Sequence, residues 1–386
     1  MHEGRIQVLR RSRWTTAVAV GVALSLAVAG CGNTVGSSSG SSGGGASKAT
    51  GGGKASSGNV QAATSLSGAG STFVGPYYSK AFKQLAQDKG IQVNYQLVGS
   101  GAGIQDFINK TVDFADSDAP MTAQQMKQAG GNPQHIAVVG GGVTLAYNVK
   151  GVKGGLKLDG PTIANIFLGK IKKWNDPAIK KLNPGVNLPN ENIVVVHRSD
   201  SSGTSAIFTT YLSSVSPEWK SKVGASTTPN WPTGVGAKGN DGVAGQITRT
   251  QGAIGYVELA YALTNKITYA SVKNASGNFV KPSLDSAKAA IAGAKIPSDL
   301  RVIISGTNPQ GKNAYPIVGL TWMLVRQQEQ NLAKCKAIAE TAWYVTHQGQ
   351  KLAPSLQYVQ IPPKVQKIDE QKIKSMEAGG KKCYTG

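Results

Sequence analysis

The chain has 386 residues, 40% hydrophobic and only 16% charged, with 49 Gly and a formal charge of +21. These values exclude a collagen-like chain, a coiled coil and a disulfide-dense mini-domain, and a single long uncharged apolar run excludes a polytopic membrane protein. The length suits two to three domains at ~150 residues each, and the excess of Lys and Arg asks which acidic partner the chain meets: nucleic acid, a membrane or a small anion.

At the N-terminus, Arg5, Arg10, Arg11 and Arg13 precede an uncharged run over 14–30 that ends in Val28-Ala29-Gly30-Cys31. This is the layout of a secretory signal. Small residues directly before a Cys resemble a bacterial lipobox, which implies cleavage before Cys31 and lipidation of its thiol. An uncleaved anchor is the alternative, since 17 residues is the lower limit of a span. Residues 32–63 hold ten Gly and eight Ser without apolar periodicity. They read as a flexible linker, with an end-to-end distance of about 30 Å. The expected layout is therefore a signal peptide over 1–30 and a lipidated Cys with linker over 31–63. Loss of residues 1–30 removes four Arg and one Glu, leaving +18. Export leaves Cys335 and Cys383, an even pair that an oxidising compartment permits to form one disulfide. A buried free Cys335 with a loose Cys383 is the alternative. His135, His197 and His347 are too scattered for a zinc pattern, and no metal or cofactor is expected.

The folded body starts near Thr64. Residues 77–89 carry apolar side chains at helical spacing, with Gly90 as the stop. Residues 91–98 alternate apolar and polar, as a half-buried strand does, and Ile193-Val194-Val195-Val196 reads as a buried parallel strand. Residues 287–294 and 332–344 read as helices, and the charged tail over 364–386 as including a surface helix. Alternation of strand and helix predicts an α/β fold with mainly parallel sheets.

Three segments repeat one pattern of strand, small hydroxyl-bearing loop and helix. They are Gly68-Ala69-Gly70-Ser71-Thr72-Phe73, Gly99-Ser100-Gly101-Ala102-Gly103-Ile104, and Arg198-Ser199-Asp200-Ser201-Ser202-Gly203-Thr204-Ser205. Free N–H groups at a helix start attract anions, hydroxyls add neutral donors, and Arg adds a planar charged fork. Any one such loop is ordinary capping; three, one bearing Arg, favour an oxyanion site. Gly234-Val235-Gly236-Ala237-Lys238-Gly239 matches a dinucleotide fingerprint but follows Trp231-Pro232 rather than a clear strand, so it reads as a loop. A fourth segment, Val112-Asp113-Phe114-Ala115-Asp116-Ser117-Asp118-Ala119-Pro120, places carboxylates near the others. Turn residues before Pro120 are its simpler reading. The alternative is an acceptor for a protonated oxyanion such as hydrogen phosphate, which would reject sulfate.

In order and spacing these segments resemble the phosphate-binding proteins of bacterial phosphate ABC transporters, over about residues 66–359. The resemblance includes Leu168-Gly169-Lys170-Ile171-Lys172-Lys173-Trp174, Leu182-Asn183-Pro184-Gly185, Lys238-Gly239-Asn240-Asp241-Gly242 and Gly252-Ala253-Ile254-Gly255-Tyr256-Val257. It implies a two-lobed periplasmic-binding-protein fold of type II, each lobe a mainly parallel sheet flanked by helices, with two hinge crossovers. Lobe one would combine 64–142 with 263–386, and lobe two would be 143–262. It also implies phosphate in the cleft between the lobes. Thr72 would offer a hydroxyl, Phe73 a backbone N–H and Ser100 a further donor. Asp118 would accept the ligand's proton, and Arg198 would be the one cationic contact, oriented by Asp200. Ser202, Gly203 and Thr204 would close from a helix start, and Ser71 would support. His197 and Ser201 depart from the family's usual residues beside the site. The implied partners are inorganic phosphate and the membrane permease and ATPase subunits of the transporter, with the chain a lipid-anchored monomer on the outer face of the cytoplasmic membrane.

Two other classes fit less well. His197, Asp200 and Ser202 lie within six positions of one loop, which does not suit a Ser–His–Asp enzyme, where the base lies between the other two. The basic residues are scattered, without the aromatic-plus-basic pattern of a nucleic-acid module.

Overall fold

The computed structural model describes residues 61–386. The signal run, Cys31 and the linker up to residue 60 lie outside the described residues. Ala62 and Ala63, which the sequence places in the linker, pack against the core, and the Ala63 N–H donates to the Ala333 carbonyl at 2.9 Å.

The main sheet contains the strands β1 (Ser65–Gly70), β2 (Gln92–Leu97), β3 (Phe114–Ser117), β4 (Pro133–Asn148), β5 (Val194–Arg198), β6 (Val235–Ala237), β7 (Ala253–Glu258) and β8 (Val318–Arg326). Their lateral order is β2-β1-β3-β8-β4-β7-β5-β6. Flanking helices include α1 (Gly75–Lys89), α2 (Ser100–Ile108), α3 (Gly203–Val215), α4 (Gly239–Arg249), α5 (Leu332–Thr346) and α6 (Pro363–Ser375). The strands that feed the Gly/Ser/Thr loops pair in parallel: β1 with β2 and β3, and β5 with β6 and β7. The joining strands add antiparallel pairings, β8 with β3 and β4, and β4 with β7.

β4 serves both halves of the sheet. Residues 133–142 pair with β8, and residues 143–148 pair with β7. It is buried along almost its whole length, which explains a near-continuous apolar run without alternation. Beyond residue 263, Tyr269 pairs with Ala146 and Ser271 pairs with Lys157. Those pairings satisfy backbone groups of strands too short to show a period in sequence.

α1 buries Tyr77, Tyr78, Ala81, Phe82 and Leu85 along one stripe and starts two residues before the expected 77, at a Pro-containing first turn. Gly90 ends it with φ 68°, the left-handed conformation that glycine adopts without a Cβ penalty. The tail forms the expected surface helix, α6, with one inward stripe: Val365, Asp369 and Ile373 face the body, and Asp369 accepts from the Ala137 N–H at 3.0 Å. The Gly234–Gly239 segment differs from its loop reading. Its Val235–Ala237 stretch is β6, parallel to β5, and Gly239 opens α4. A three-residue strand carries too little pattern to announce itself. Cys335 on α5 is disulfide-bonded to Cys383.

Candidate functional site

The parallel strands point their carboxyl ends the same way within each half, and open α/β sheets gather ligand loops at such ends. The loops after β1, β2, β3, β5 and β6 meet in one buried cluster. Ser71, Thr72, Ser100, Asp118, Arg198, Ser202 and Thr204 are each at most 3% exposed.

The first loop turns from β1 into α1. Ser71 Oγ accepts from the Phe73 N–H at 2.9 Å and donates to Asp118 Oδ1 at 2.5 Å. Thr72 Oγ1 accepts from both the N–H and Nδ2 of Asn240, at 3.1 and 2.9 Å. In the second loop, Ser100 Oγ accepts from the N–H groups of Asp118 and Gly203, at 3.2 and 3.1 Å. A hydroxyl that accepts twice still holds one hydrogen, so Thr72 and Ser100 keep a proton to donate. Gly203 sits where loops from the two halves touch. A Cβ there would come within 2.5 Å of Ser100 Oγ and 2.6 Å of Asp118 Oδ2, so only glycine fits. Ser202 caps α3 by accepting from the Ser205 N–H at 3.0 Å.

Arg198 ends β5 inside the cluster. Its Nε and Nη2 donate to the two oxygens of Asp200 at 2.7 and 2.5 Å, and Nη1 donates to Thr204 Oγ1 at 3.3 Å. Burial pushes the Asp200 carboxyl up, but the hydrogen bonds and charge of Arg198 outweigh it and hold the group below its usual range. The pair therefore presents a guanidinium whose charge is largely balanced. Asp118 shows the opposite balance: burial raises it to about 6, against the lowering effect of Ser71 and Thr321 hydrogen bonds and the Arg198 charge. Above that value it is an acceptor amid donors.

The structure brings every sequence-selected loop residue into this cluster, with Ser202 occupied in part by capping. Sequence reasoning missed Asn240 and Thr321, and took Asp116 only as one of the acids before Pro120. Asn240 ties Thr72 to Thr204, donating to Thr204 Oγ1 at 3.1 Å, and its Oδ1 accepts from the Glu258 N–H at 2.9 Å. Its only signal was membership of the Lys238–Gly242 segment. Thr321 donates to Asp118 Oδ1 at 2.8 Å from β8, whose sequence is simply apolar around it. The three residues considered as a triad do not bond one another: His197 Nδ1 contacts the Arg198 carbonyl and its ring stacks on Trp231, Asp200 holds Arg198, and Ser202 caps a helix. Among the described residues, no group of three or more His, Cys, Asp or Glu could hold a metal ion.

A family model described as PBP superfamily domain matches residues 52–343. The phosphate-binding protein PstS of Xylella fastidiosa (strain 9a5c) is 44% identical over 305 residues, covering 78% of this chain and 83% of that protein. The protein of the same name from Pasteurella multocida is 44% identical over 310 residues, covering 80% and 90%. The crystal structure of a phosphate-binding protein from Stenotrophomonas maltophilia aligns with TM-score 0.60 at 20% identity, over 79% of this chain and 92% of that one. These relatives are binding proteins, not enzymes. The matched length, the shared fold and the high identity place this chain in the PstS family of periplasmic-type phosphate-binding proteins.

Proposed function

We propose that this chain captures inorganic phosphate at the buried loop cluster and delivers it to the permease and ATPase subunits of a phosphate ABC transporter. The observation that carries the reading is the acceptor among donors. The Asp118 carboxylate accepts from the hydroxyls of Ser71 and Thr321, beside an Arg198 whose charge Asp200 largely balances. A shell of donors alone would suit sulfate and phosphate equally. One ionised carboxylate favours an oxyanion that still carries a proton and repels one that does not.

In this reading Thr72, Phe73, Ser100, Arg198, Ser202, Gly203 and Thr204 contact the ligand, and Ser71 and Asp200 hold Asp118 and Arg198 in place. Capture proceeds by hinge closure of two lobes, with β4 as one crossover. The partner change within β4 and the contacts across the loops from both halves support it. Cys31 tethers a monomer to the outer face of the cytoplasmic membrane, supported by the signal-like run and small residues before it.

Titration calorimetry on the chain lacking residues 1–30 tests the ligand. Orthophosphate is expected to bind tightly and sulfate at least about 10⁴-fold more weakly. Equal affinity for the two anions would remove Asp118 from its role.

A further inference from the structure

Asp116 lies two residues before Asp118 on β3 and is fully buried, as is Thr321 on β8. The Thr321 hydroxyl contacts Asp116 Oδ1 on one side and Asp118 Oδ1 on the other, the second at 2.8 Å. A hydroxyl has one hydrogen and can serve only one of two ionised oxygens. The remaining contacts do not relieve this shortage. Asp116 Oδ2 accepts from the Tyr78 hydroxyl at 2.8 Å, and Asp118 Oδ1 accepts from Ser71 at 2.5 Å. With both carboxylates ionised, one oxygen–oxygen contact would have no hydrogen between its atoms, away from water, and two like charges would face each other across a single hydroxyl.

We propose that Asp116 and Asp118 share one proton, held on Asp116, which donates to Thr321 while Thr321 donates to Asp118. Asp116 and Thr321 are thus positioning residues that keep Asp118 an acceptor for the ligand's proton.

The surroundings decide which carboxyl holds the proton. Tyr78 from α1, Tyr95 from β2 and Asp118 are the titratable groups facing Asp116, and none is a cation. Asp118 faces Arg198 as well as the buried Glu258. Burial and the Asp118 charge push Asp116 well above the usual carboxylate range, whereas Asp118 rises only to about 6. Asp118 Oδ1 is occupied by Ser71 and Thr321, Oδ2 packs against Gly203, and Thr204 adds a further hydrogen bond to the same carboxyl.

The role towards the ligand rests on the phosphate reading above; the position of the proton does not. Infrared difference spectra of the ligand-free protein at neutral pH test the proton directly. The wild-type minus Asp116→Asn difference is expected to contain the carbonyl stretch of a protonated carboxylic acid. The wild-type minus Asp118→Asn difference is expected to contain ionised carboxylate bands. The reverse assignment, or two ionised groups, would overturn the inference. The relay is tested by Thr321→Val, nearly isosteric, with melting curves to confirm folding. Loss of one donor raises Asp118, so the acid limb of phosphate binding is expected to move up by about one to two pH units. An unmoved limb in a folded variant would overturn the relay. Were the wild type to bind no phosphate, the functional reading alone would fall, and the infrared assignment would still decide the proton.

Discussion

Among the described residues Arg198 is the one cation drawn into the cluster, yet two of its three donor nitrogens point at Asp200. That bidentate pairing orients the guanidinium and moderates its field. Arg198→Ala is therefore expected to weaken phosphate binding by about 2–5 kcal/mol in calorimetry, part of it from leaving Asp200 buried and unpaired. Arg198→Lys is expected to restore little, because an ammonium cannot form the fork. The Arg198–Asp200 pair was open to sequence reading because both residues sit on one loop, two positions apart. Asn240 and Thr321 were not, since 168 residues separate Asn240 from Thr72 and 203 separate Thr321 from Asp118. An Asn at a helix start or a Thr within an apolar strand has many ordinary explanations, and only folding shows what it touches.

At the scale of elements, the long periodic ones were clear from the chain alone. α1 and its Gly90 stop, β2 and β5 follow from side-chain spacing and from the one residue that tolerates a left-handed turn. β6 was hidden by its three residues, and the strands Thr268–Tyr269 and Ser271–Lys273 by their two and three. The charged tail reads as including a surface helix, and three inward positions of α6 anchor that helix to the body. The disulfide ties α5 to the final residues across a sequence separation of 48. A loop of that length corresponds to about 4 kcal/mol of chain entropy, and natural bridges contribute about 2–5 kcal/mol. Reduction, or the double substitution Cys335→Ala with Cys383→Ala, is expected to lower unfolding stability by that amount in denaturant titrations. Phosphate affinity is expected to stay within a few-fold of wild type, since neither Cys lies in the loop cluster.

For the whole molecule, the net charge takes on a narrower meaning than composition suggested. Three units belong to residues 1–30, and Arg198 is buried in the loop cluster. The +18 that remains without residues 1–30 is spread over many scattered Lys and Arg, and such an excess is expected to steer anions rather than select among them. Stopped-flow association rates for phosphate are expected to fall as ionic strength rises, while the phosphate-to-sulfate affinity ratio holds. Cys31→Ser is expected to release the protein from membranes into the medium in cell fractionation; continued retention would favour a spanning anchor over a lipid. By itself the sequence determined the α/β class, the export-like start, the hydroxyl-rich loops and the family, because these rest on local spacing and on short segments in fixed order. Only the tertiary structure decided that β4 serves both halves, that Asn240 and Thr321 stand beside ligand loops far away in the chain, and that Asp116 faces Asp118 across one hydroxyl. Those relations depend on which strands lie side by side, and strand order is set by long-range packing that no local pattern encodes.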